Sequence, residues 1–421
     1  MVCEPDRAGD FAGDRLMAEV LFLAHRIPYP PDKGDKIRSW NMLQRIAERA
    51  TVHLGAFVDD PADLQHLPML RKLCGGDVKL IPISKRQRWR RMLGGYFRGE
   101  ALSLSVYRDS AMAGWTRDLM RRRKVGGIFC FSGQVAPYAL QHLTGDRKTV
   151  MDFVDIDSEK FREYASEATG WRRRIYARES RLLLAFEKYV ARQFGSSLFV
   201  SEAEAAAFRK LAGSWAHTVK VIGNGVDHAH FDPETVPAKL GPGPVVLFAG
   251  AMDYKPNIDA AVWFAATSWP LVRARYPSAA FVIAGSNPTA EVKKLGGKGG
   301  IIVTGRVPEM PPYLSAADVV VAPLRLARGI QNKVLEAMAM AKPVVATSAA
   351  FEGLHATPGT HLLIADDPTA IARDILALLS DRDRRMAMGH AARRHVIEHY
   401  DWNACLAPLD ALLGLDAQAM V

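Results

Sequence analysis

The sequence predicts an α/β protein with two doubly wound domains that face each other across a cleft. The chain has 421 residues, and a domain usually holds about 100–200 residues, so two or three domains are expected. Short, continuously apolar runs alternate with helix-like stretches, which is typical of parallel sheets covered by helices on both faces. This alternation starts again after a connector near residue 225, so each half is expected to form its own sheet.

The predicted strands are short apolar runs that follow one another along each half. In the first half they are Val20–Ala24, Val52–Val58, Val78–Ile81, Gly127–Phe131, Thr149–Val154 and Ser197–Val200. An amphipathic helix is expected from about Ile37 to Ala47, and two glycines around Asn224 favour a turn in the connector Val221–Asp227. In the second half the predicted strands are Val245–Ala249, Ala280–Ala284, Ile301–Thr304, Val319–Ala322, Pro343–Ala346 and Leu362–Ile364.

Four segments are expected along the chain. Residues 1–17 carry acidic groups and lack the apolar core of a signal peptide, so we expect a loose leader. Residues 18–225 and 226–395 are expected to form the two domains, and residues 396–421 a C-terminal helix that packs back on the first domain. Ligands of parallel sheets bind beyond the carboxyl ends of the strands, so the chemistry is expected where the two domains face each other.

Composition narrows the class of protein. Apolar residues make up 49% and charged residues 24%, and no run approaches the roughly 20 apolar residues of a membrane span. The four cysteines are scattered without metal-ligand spacing, which argues against a disulfide framework or a zinc site and favours the cytosol. Residues 1–225 carry 37 lysines and arginines against 26 acidic residues, whereas the remainder carries 18 against 19. The first half is therefore expected to meet an anionic partner.

Residues 328–347 give the most specific chemical signal. A glycine-containing loop runs into a helix, and backbone N–H groups at a helix start can hold a diphosphate. Lys333 lies in the first turn, where its ammonium can reach phosphate, and Glu336 is placed to accept hydrogen bonds from ribose hydroxyls. Spacing alone leaves open a plain loop–helix–strand unit with a solvated Lys–Glu pair.

This segment resembles the donor-site motif of glycosyltransferase family 4, the retaining enzymes with the GT-B fold of two Rossmann-like domains. Glu336 matches the family's ribose-binding glutamate, whereas Arg328 stands where the family has a glutamate that contacts the transferred sugar. The resemblance implies that sugar recognition falls to Arg328, Gln331 or Asn332, with catalytic roles for Arg328 and Asn332. It implies that donor binding also involves the loop residues Gly329 and Ile330.

Other stretches carry the same resemblance. Val221–Asp227 is similar to the family's interdomain connector, and the loop that follows Gly250 stands where the family binds diphosphate. Lys255 is the cation of that loop and is expected to bind phosphate, with a solvated loop lysine as the alternative. Arg306 and Val307 resemble the family's nucleobase-binding strand end. The residue sequences of several motifs resemble those of sugar transferases that are associated with exosortase-linked exopolysaccharide loci.

Two loops of the first half are predicted to contact an acceptor. The charged loop after the first strand supplies Gly34, Asp35, Lys36 and Arg38, although a merely soluble loop is the alternative. Ser132 and Gln134 follow a second strand and are further expected acceptor contacts.

Three carboxylates, those of Asp152, Asp155 and Asp157, cluster at the end of another predicted strand, where burial is costly without a partner. Asp155 is the candidate for a catalytic or acceptor-orienting group. In the competing interpretation, Asp157 and Ser158 cap the next helix.

A basic and aromatic stretch, residues 85–98, predicts a membrane-docking surface. Cations interleaved with aromatic rings suit the interface of an anionic bilayer. The residues expected to dock are Arg88, Trp89, Arg90, Arg91, Tyr96 and Phe97. An ordinary solvated helix face is the alternative, and nucleic acid is disfavoured because no nucleic-acid-binding motif accompanies the cluster.

The resemblance implies a retaining glycosyltransferase that moves a sugar from a nucleotide diphosphate sugar to a polysaccharide or lipid-linked saccharide. It implies no metal and no cofactor besides the donor substrate. We expect a cytoplasmic protein, peripheral on the inner face of the cytoplasmic membrane, that makes exopolysaccharide. Two alternatives remain at this point: a nucleotide-sugar epimerase on the same fold, and a non-catalytic binding protein that has kept it.

Overall fold

A computed structural model describes residues 18–327 and 330–416, apart from the side chains of Ala212 and Ser214. Two parallel β-sheets, each surrounded by helices, form the described chain. This confirms the α/β fold class that the alternation of apolar runs predicts. The expected leader, residues 1–17, and residues 417–421 lie outside the described residues, as do Arg328 and Gly329.

The first sheet has the strand order β3-β2-β1-β4-β5-β6-β7. Its strands are β1 Ala18–Ala24, β2 Ala50–Val58, β3 Gly75–Pro82, β4 Val125–Phe131, β5 Lys148–Val154, β6 Ser196–Phe199 and β7 Val219–Val221. The helices of this half are α1 Gly34–Ala47, α2 Leu67–Cys74, α3 Lys85–Phe97, α4 Leu102–Val106, α5 Ser110–Arg122, α6 Ala136–Leu140, α7 Asp157–Glu167, α8 Gly170–Gln193 and α9 Glu202–Ala212.

The second sheet has the strand order β10-β9-β8-β11-β12-β13. Its strands are β8 Val245–Ala249, β9 Ala280–Ala284, β10 Ile301–Gly305, β11 Val319–Ala322, β12 Val344–Ala346 and β13 Leu363–Ile364. The helices that follow along the chain are α10 Lys255–Ala266, α11 Ser268–Arg275, α12 Ala290–Lys293, α13 Pro311–Ala316, α14 Asn332–Ala339, α15 Ser348–Phe351, α16 Pro368–Ser380, α17 Arg382–His399 and α18 Trp402–Leu413.

The apolar runs form strands because both faces of each sheet are covered. Residues 20–24 of β1 are all buried, and they alternate between two core clusters, with Leu21 and Leu23 on one face and Val20 and Phe22 on the other. The second sheet has its own core, to which every residue of β9 contributes. Burial on both faces explains why these strands are continuously apolar rather than alternating.

Strand order fixes where ligands can bind. In the first sheet the chain adds strands towards one edge after β1 and towards the other edge after β4. In the second sheet the same reversal of direction falls between β8 and β11. A crevice opens at the carboxyl ends of strands at such a point. The loops that flank the two crevices begin at residues 25, 132, 250 and 323, and they contain many of the predicted site residues.

The sequence prediction missed β7, because its three residues merge with the connector that follows. The chain returns to the first sheet at its end, where the amide of Val226 donates to the carbonyl of Tyr400 (2.8 Å) and α18 begins. Trp402, Leu406 and Leu409 of α18 are buried in a core cluster of the first sheet. This helix therefore completes the first half of the molecule, although it is the last described helix of the chain.

Candidate functional site

The second sheet places a lysine and a glutamate at the start of α14, directly after its switch point. Lys333 and Glu336 are one helical turn apart and lie on the same side of α14. The Lys333 Nζ donates to Oδ1 of Asn257 (2.6 Å) and lies 5.2 Å from the centre of the Phe248 ring. These contacts fix the ammonium between the first turns of α14 and α10.

Burial perturbs both charges of this pair. Burial lowers the pKa of Lys333 to about 8, although the charge of Glu336 works in the other direction. Burial raises the pKa of Glu336 to about 7, and the charge of Lys333 only partly opposes this. Removing a lysine and a carboxylate from water lowers the stability of the fold. Residues with pKa values perturbed in this way concentrate at functional sites. The pair is therefore ready to take an anionic group beside Lys333 and hydroxyl groups beside Glu336.

The loop before α14 is described only in part. Arg328 and Gly329, the predicted sugar-contacting and loop residues, lie outside the described residues. Ile330 packs against the interdomain connector near Gly223. Gln331 precedes the helix, and Asn332, its first residue, accepts a hydrogen bond from the side chain of Asn224.

Gly250 begins the other loop of this crevice. Its φ of 155° and the closeness of Asn257 Nδ2, 2.7 Å from where a Cβ would lie, require glycine there. Asn257 Nδ2 also donates to the carbonyl of Ala251 (2.9 Å). Lys255 does not lie with Lys333: its side chain is mostly exposed and binds Glu167 of α7 across the cleft (2.5 Å). Lys333 is the more buried of the two lysines and therefore the stronger candidate for phosphate binding, and the phosphate role of Lys255 stays a prediction.

The two halves also meet at the mouth of the cleft. Arg306 follows β10 and is bonded to Asp32, in the loop before α1, at 3.0 Å. Val307, beside it, is half-buried. The predicted nucleobase-binding strand end therefore lies against the first half of the molecule.

Asp155 lies at the carboxyl end of β5 among other charged groups. Burial raises its pKa to about 7, and the nearby charges of Glu204 and Asp157 add to this effect, whereas Lys160 opposes it. A carboxyl group with a pKa near neutrality can accept or release a proton at working pH. The structure thus places the predicted catalytic carboxylate in an environment that suits proton transfer.

The backbone on either side of this site is strained. Ser132 and Val154, which follow β4 and end β5, have φ values of 74° and 68°. A positive φ is rare for a β-branched residue, and such strain concentrates at functional sites. Ser132 bonds to Gln134, whose Nε2 donates to Asp157 (3.1 Å), so these predicted acceptor residues hold the start of α7.

The helix-cap interpretation of this segment is wrong in detail. The amide and hydroxyl of Ser158 both donate to the buried carboxylate of Glu187, and the residue before the helix is Ile156. Glu187, from α8, therefore performs the capping that the sequence assigned to Asp157 and Ser158.

Two of the predicted acceptor contacts are internal ion pairs. Lys36 is buried and bonded to Asp63 (2.8 Å), and Arg38 is 1% exposed and bonded to Asp152 (2.9 Å). Their charges are occupied inside the domain, which corrects the expectation that they face an acceptor. Gly34 is exposed at the start of α1.

Asp35 remains at the rim of the crevice, where it pairs with Arg26 and contacts His25. Burial works to raise its pKa, but the hydrogen bond from His25 and the charge of Arg26 hold that pKa well below its usual range. Asp35 is therefore ionised at neutral pH.

The predicted docking residues divide between two faces of α3. Trp89 and Phe97 are 74% and 78% exposed, and Tyr96 is also exposed. Arg88 bonds to Asp59, and Arg91 to Asp109 at 2.5 Å. These two arginines anchor α3 to the domain, which corrects their assignment to the docking face, whereas Arg90 is exposed.

Sequence reasoning missed Asn257, Glu204 and Asn224 as site residues. Asn257 lies in the first turn of the helix that follows the Gly250 loop, and an amide at that position is a signal that could have been used. Glu204 carried no signal, because it reaches the amide of Ile156 from 48 residues away.

Within the described ranges, no group of three histidine, cysteine or acidic side chains is placed to hold a metal ion. No described helix has both the length and the apolar character needed to cross a bilayer.

Comparison with known proteins agrees with this geometry. Residues 243–381, which contain β8 to α16, match the family described as glycosyl transferases group 1. The solved structure of Anabaena Alr3699/HepE in complex with UDP and glucose superposes with a TM-score of 0.68 at 15% identity, and the match covers 94% of this chain and 99% of that one. Two facing sheets of this kind define the GT-B fold.

Two curated relatives extend the comparison. The GDP-mannose-dependent alpha-(1-6)-phosphatidylinositol monomannoside mannosyltransferase of Mycobacterium tuberculosis is 29% identical over 262 residues, 56% of this chain and 67% of the relative. An uncharacterized 44.6 kDa protein in the cps region of Klebsiella pneumoniae is 21% identical over 415 residues, 91% of this chain and 97% of the relative. Residues 243–381 are therefore similar to a glycosyl transferase group 1 domain, and the described chain has the GT-B fold.

Proposed function

We propose that this protein is a retaining glycosyltransferase of family 4 that transfers a sugar from a nucleotide diphosphate sugar to a saccharide or lipid-linked acceptor in exopolysaccharide biosynthesis. The observation that carries the proposal is the start of α14, where Lys333 and Glu336 lie half-buried at the switch point of the second sheet. The helix start and Lys333 suit a diphosphate, and Glu336 suits ribose hydroxyls. The similar mannosyltransferase depends on GDP-mannose, and the similar Anabaena protein was solved in complex with UDP and glucose, which supports a nucleotide-sugar donor.

The leaving diphosphate is stabilised electrostatically in this proposal. Lys333 is held in place by Asn257 before the donor arrives, so little reorganisation is needed when charge develops on the leaving phosphate. Burial of Lys333 makes its interaction with an anion stronger than it would be in water. No dedicated protein nucleophile is required, because the acceptor attacks from the side on which the phosphate departs.

Asp155 faces the acceptor in this proposal. Its raised pKa makes the ionised carboxylate a stronger base, which accepts a hydrogen bond from the acceptor hydroxyl and orients it for attack. Asn332, the first residue of α14, contacts the transferred sugar in this proposal.

Nucleotide binding tests this proposal first. Calorimetry against UDP, GDP, ADP and their common sugars should find one nucleotide series that binds wild type and binds Glu336→Ala much more weakly. Glu291→Ala is the matched control, because Glu291 is an exposed glutamate of the same half. With the sugar that binds, wild type should release nucleoside diphosphate. Absence of binding to any series, or equal binding by Glu336→Ala, would overturn the assignment.

We propose further that the first half docks on the inner face of the cytoplasmic membrane. The docking face consists of the exposed apolar residues of α3 and the start of α8, which are Trp89, Leu93, Tyr96, Phe97 and Trp171. Arg178 of α8 lies over the ring of Tyr96 at 5.0 Å, so the two helices form one continuous surface. Exposed cations surround it: Lys85, Arg86, Arg90, Arg172, Arg173 and Arg174. Such a surface suits anionic lipid, to which each nearby cation contributes about 1 kcal/mol.

Sedimentation with vesicles tests the docking face. Wild type should bind vesicles of phosphatidylcholine that contain about 30–40% of the anionic lipid phosphatidylglycerol, because their negative surface attracts the basic residues. Binding should weaken with added salt, which screens these charges. The variant Trp89→Ser/Phe97→Ser should lose most of this binding. Tyr189→Ser is the control, because Tyr189 is an exposed aromatic residue near the other end of α8. Equal binding by all three proteins would contradict the proposed face.

A further inference from the structure

A chain of buried polar side chains joins the start of α14, the proposed donor-binding helix, to the carboxyl end of β5, which Asp155 follows. Asn224, in the connector between the two halves, donates through Nδ2 to Oδ1 of Asn332 (3.0 Å) and accepts from Nη1 of Arg38 (3.0 Å). The Nε of Arg38 donates to Oδ2 of Asp152 (2.9 Å). Asp152 Oδ1 in turn accepts from the backbone amide of Val154 (2.9 Å). The contacts thus run without a break from the first residue of α14 to the residue before Asp155.

The centre of this chain is fully removed from water. Arg38 is 1% exposed and Asp152 fully buried, and burial raises the pKa of Asp152 against the opposing charge of Arg38. The third guanidinium nitrogen of Arg38, Nη2, has no hydrogen-bond partner within the described part of the chain. A buried ion pair of this kind gives little net stability compared with apolar packing, and an unmade hydrogen bond adds a further cost. Stability alone is therefore a poor reason for this arrangement.

The chain ends at a strained backbone. Val154 has a φ of 68°, which its branched side chain disfavours, and its amide is held by Asp152. A backbone in this conformation persists only where its surroundings fix it. Asp155 is the next residue, so the direction of its carboxylate depends on this turn.

We propose that Arg38, Asp152 and Asn224 are positioning residues. They hold the turn at Val154 and Asp155 in a fixed position relative to the start of α14. The inference rests on the proposed function, because it assigns these residues a part in the transfer reaction. Through them, the donor side and the acceptor side of the cleft are connected by specific hydrogen bonds rather than by packing alone. Arg38 acts on Asp155 and Asn332 only through these neighbours.

The same helix offers a matched control. Arg45 also lies on α1, seven residues after Arg38, and also binds a largely buried aspartate, Asp410 of α18 (3.0 Å). This pair joins α1 to the C-terminal helix, and among the described residues the Arg45 side chain donates its hydrogen bonds to Asp410 and not to Asn224 or α14. A variant at Arg45 therefore disturbs a comparable ion pair without disturbing the proposed connection.

Hydrogen exchange tests the connection without requiring turnover. The reporter is the peptide spanning residues 150–158, which contains the Val154 amide. Asn332→Ala changes a half-buried side chain on the opposite side of the cleft, so it should fold, and it should speed exchange at this peptide about tenfold. Arg38→Lys should do the same, whereas Arg45→Lys should leave it unchanged. Unchanged exchange in both Asn332→Ala and Arg38→Lys would overturn the proposed connection.

Kinetics then test its role. Asn224→Ala should lower kcat about tenfold to 100-fold, because displacement of a catalytic group by about 1 Å has effects of this size, while donor KM changes less than threefold. Combined with Asp155→Asn, it should cause a much smaller further loss, since Asn224 acts mainly through Asp155. A loss in the double variant equal to the product of the single losses would overturn the positioning role. Wild type without nucleotide-sugar turnover would instead refute the proposed function, and the exchange result would still decide whether the connection exists.

Discussion

The desolvated pair at the start of α14 predicts a bell-shaped pH dependence of donor use. Burial raises the pKa of Glu336 to about 7, and Glu336 must lose its proton to accept hydrogen bonds from two ribose hydroxyls as a carboxylate. Lys333, with its pKa lowered to about 8 by burial, must keep its proton to bind diphosphate. We therefore expect kcat/KM for the donor to rise through pH 7 and to fall above about pH 8, since this ratio reports the free enzyme.

The size of the effect follows from the same pair. Hydrogen bonds to a charged group contribute about 1.5–3 kcal/mol, and about 1.4 kcal/mol corresponds to a tenfold change. Glu336→Ala should therefore lower donor kcat/KM about tenfold to 150-fold at pH 7.5. Glu336→Gln should weaken the acidic limb of the profile and leave the part that is due to Asp155, whose pKa burial also raises to about 7. It should also move the alkaline limb below pH 8, because the charge of Glu336 helps Lys333 to keep its proton.

The assay is release of nucleoside diphosphate at limiting donor and saturating acceptor, from pH 5.5 to 9. Glu291→Gln, in an exposed position of α12, should reproduce the wild-type profile. An acidic limb that persists unchanged in Glu336→Gln would show that another group controls it, and the reasoning from burial would then fail.

Three further predictions follow from individual contacts. Asn257→Ala should raise donor KM about tenfold, because Lys333 loses its 2.6 Å acceptor, and an unchanged KM would show that Asn257 does not position the ammonium. Lys255→Ala should change donor KM less than about fivefold, because an exposed charge such as that of Lys255 contributes only about 0–1 kcal/mol to an ion pair, whereas a tenfold rise would confirm its predicted phosphate role. Glu187 has a pKa raised to about 8 by burial, so the folded state binds its proton more tightly than the unfolded state and stability falls as pH rises from about 5 to 8. Glu187→Gln should therefore gain Tm relative to wild type at pH 8 but not at pH 5, and a constant difference between the two would contradict this.

The strands could be predicted from the sequence because burial on both faces leaves a direct trace in composition. The Lys333–Glu336 pair could also be predicted, since helical spacing alone brings these two residues to one side of α14. Arg38 could not, because its partner Asp152 lies 114 residues away and no periodicity links them. A charged loop residue can face a ligand or a distant internal partner, and only the tertiary structure distinguishes the two.

The arginines of α3 illustrate a signal that was present but unused. Arg88 and Arg91 share the inward face of the helix with Gly95, where an added Cβ would come within 2.4 Å of two Ser105 side-chain atoms. That glycine lies on the side of close packing, so Arg91, four positions before it, and Arg88, three positions before Arg91, point inwards. Trp89 and Phe97 lie eight residues apart on the opposite, exposed side.

Transfer of a labelled sugar tests the central claim most directly. The donor identified by calorimetry is supplied with ¹³C at its anomeric carbon, together with membranes that contain lipid-linked saccharides, and the product is examined by NMR. The account predicts that the label moves to the acceptor with the anomeric configuration of the donor, and that Glu336→Ala transfers little of it while Glu291→Ala transfers as much as wild type. Label that stays on the nucleotide, or that appears in the product with the opposite configuration, would contradict a retaining glycosyltransferase.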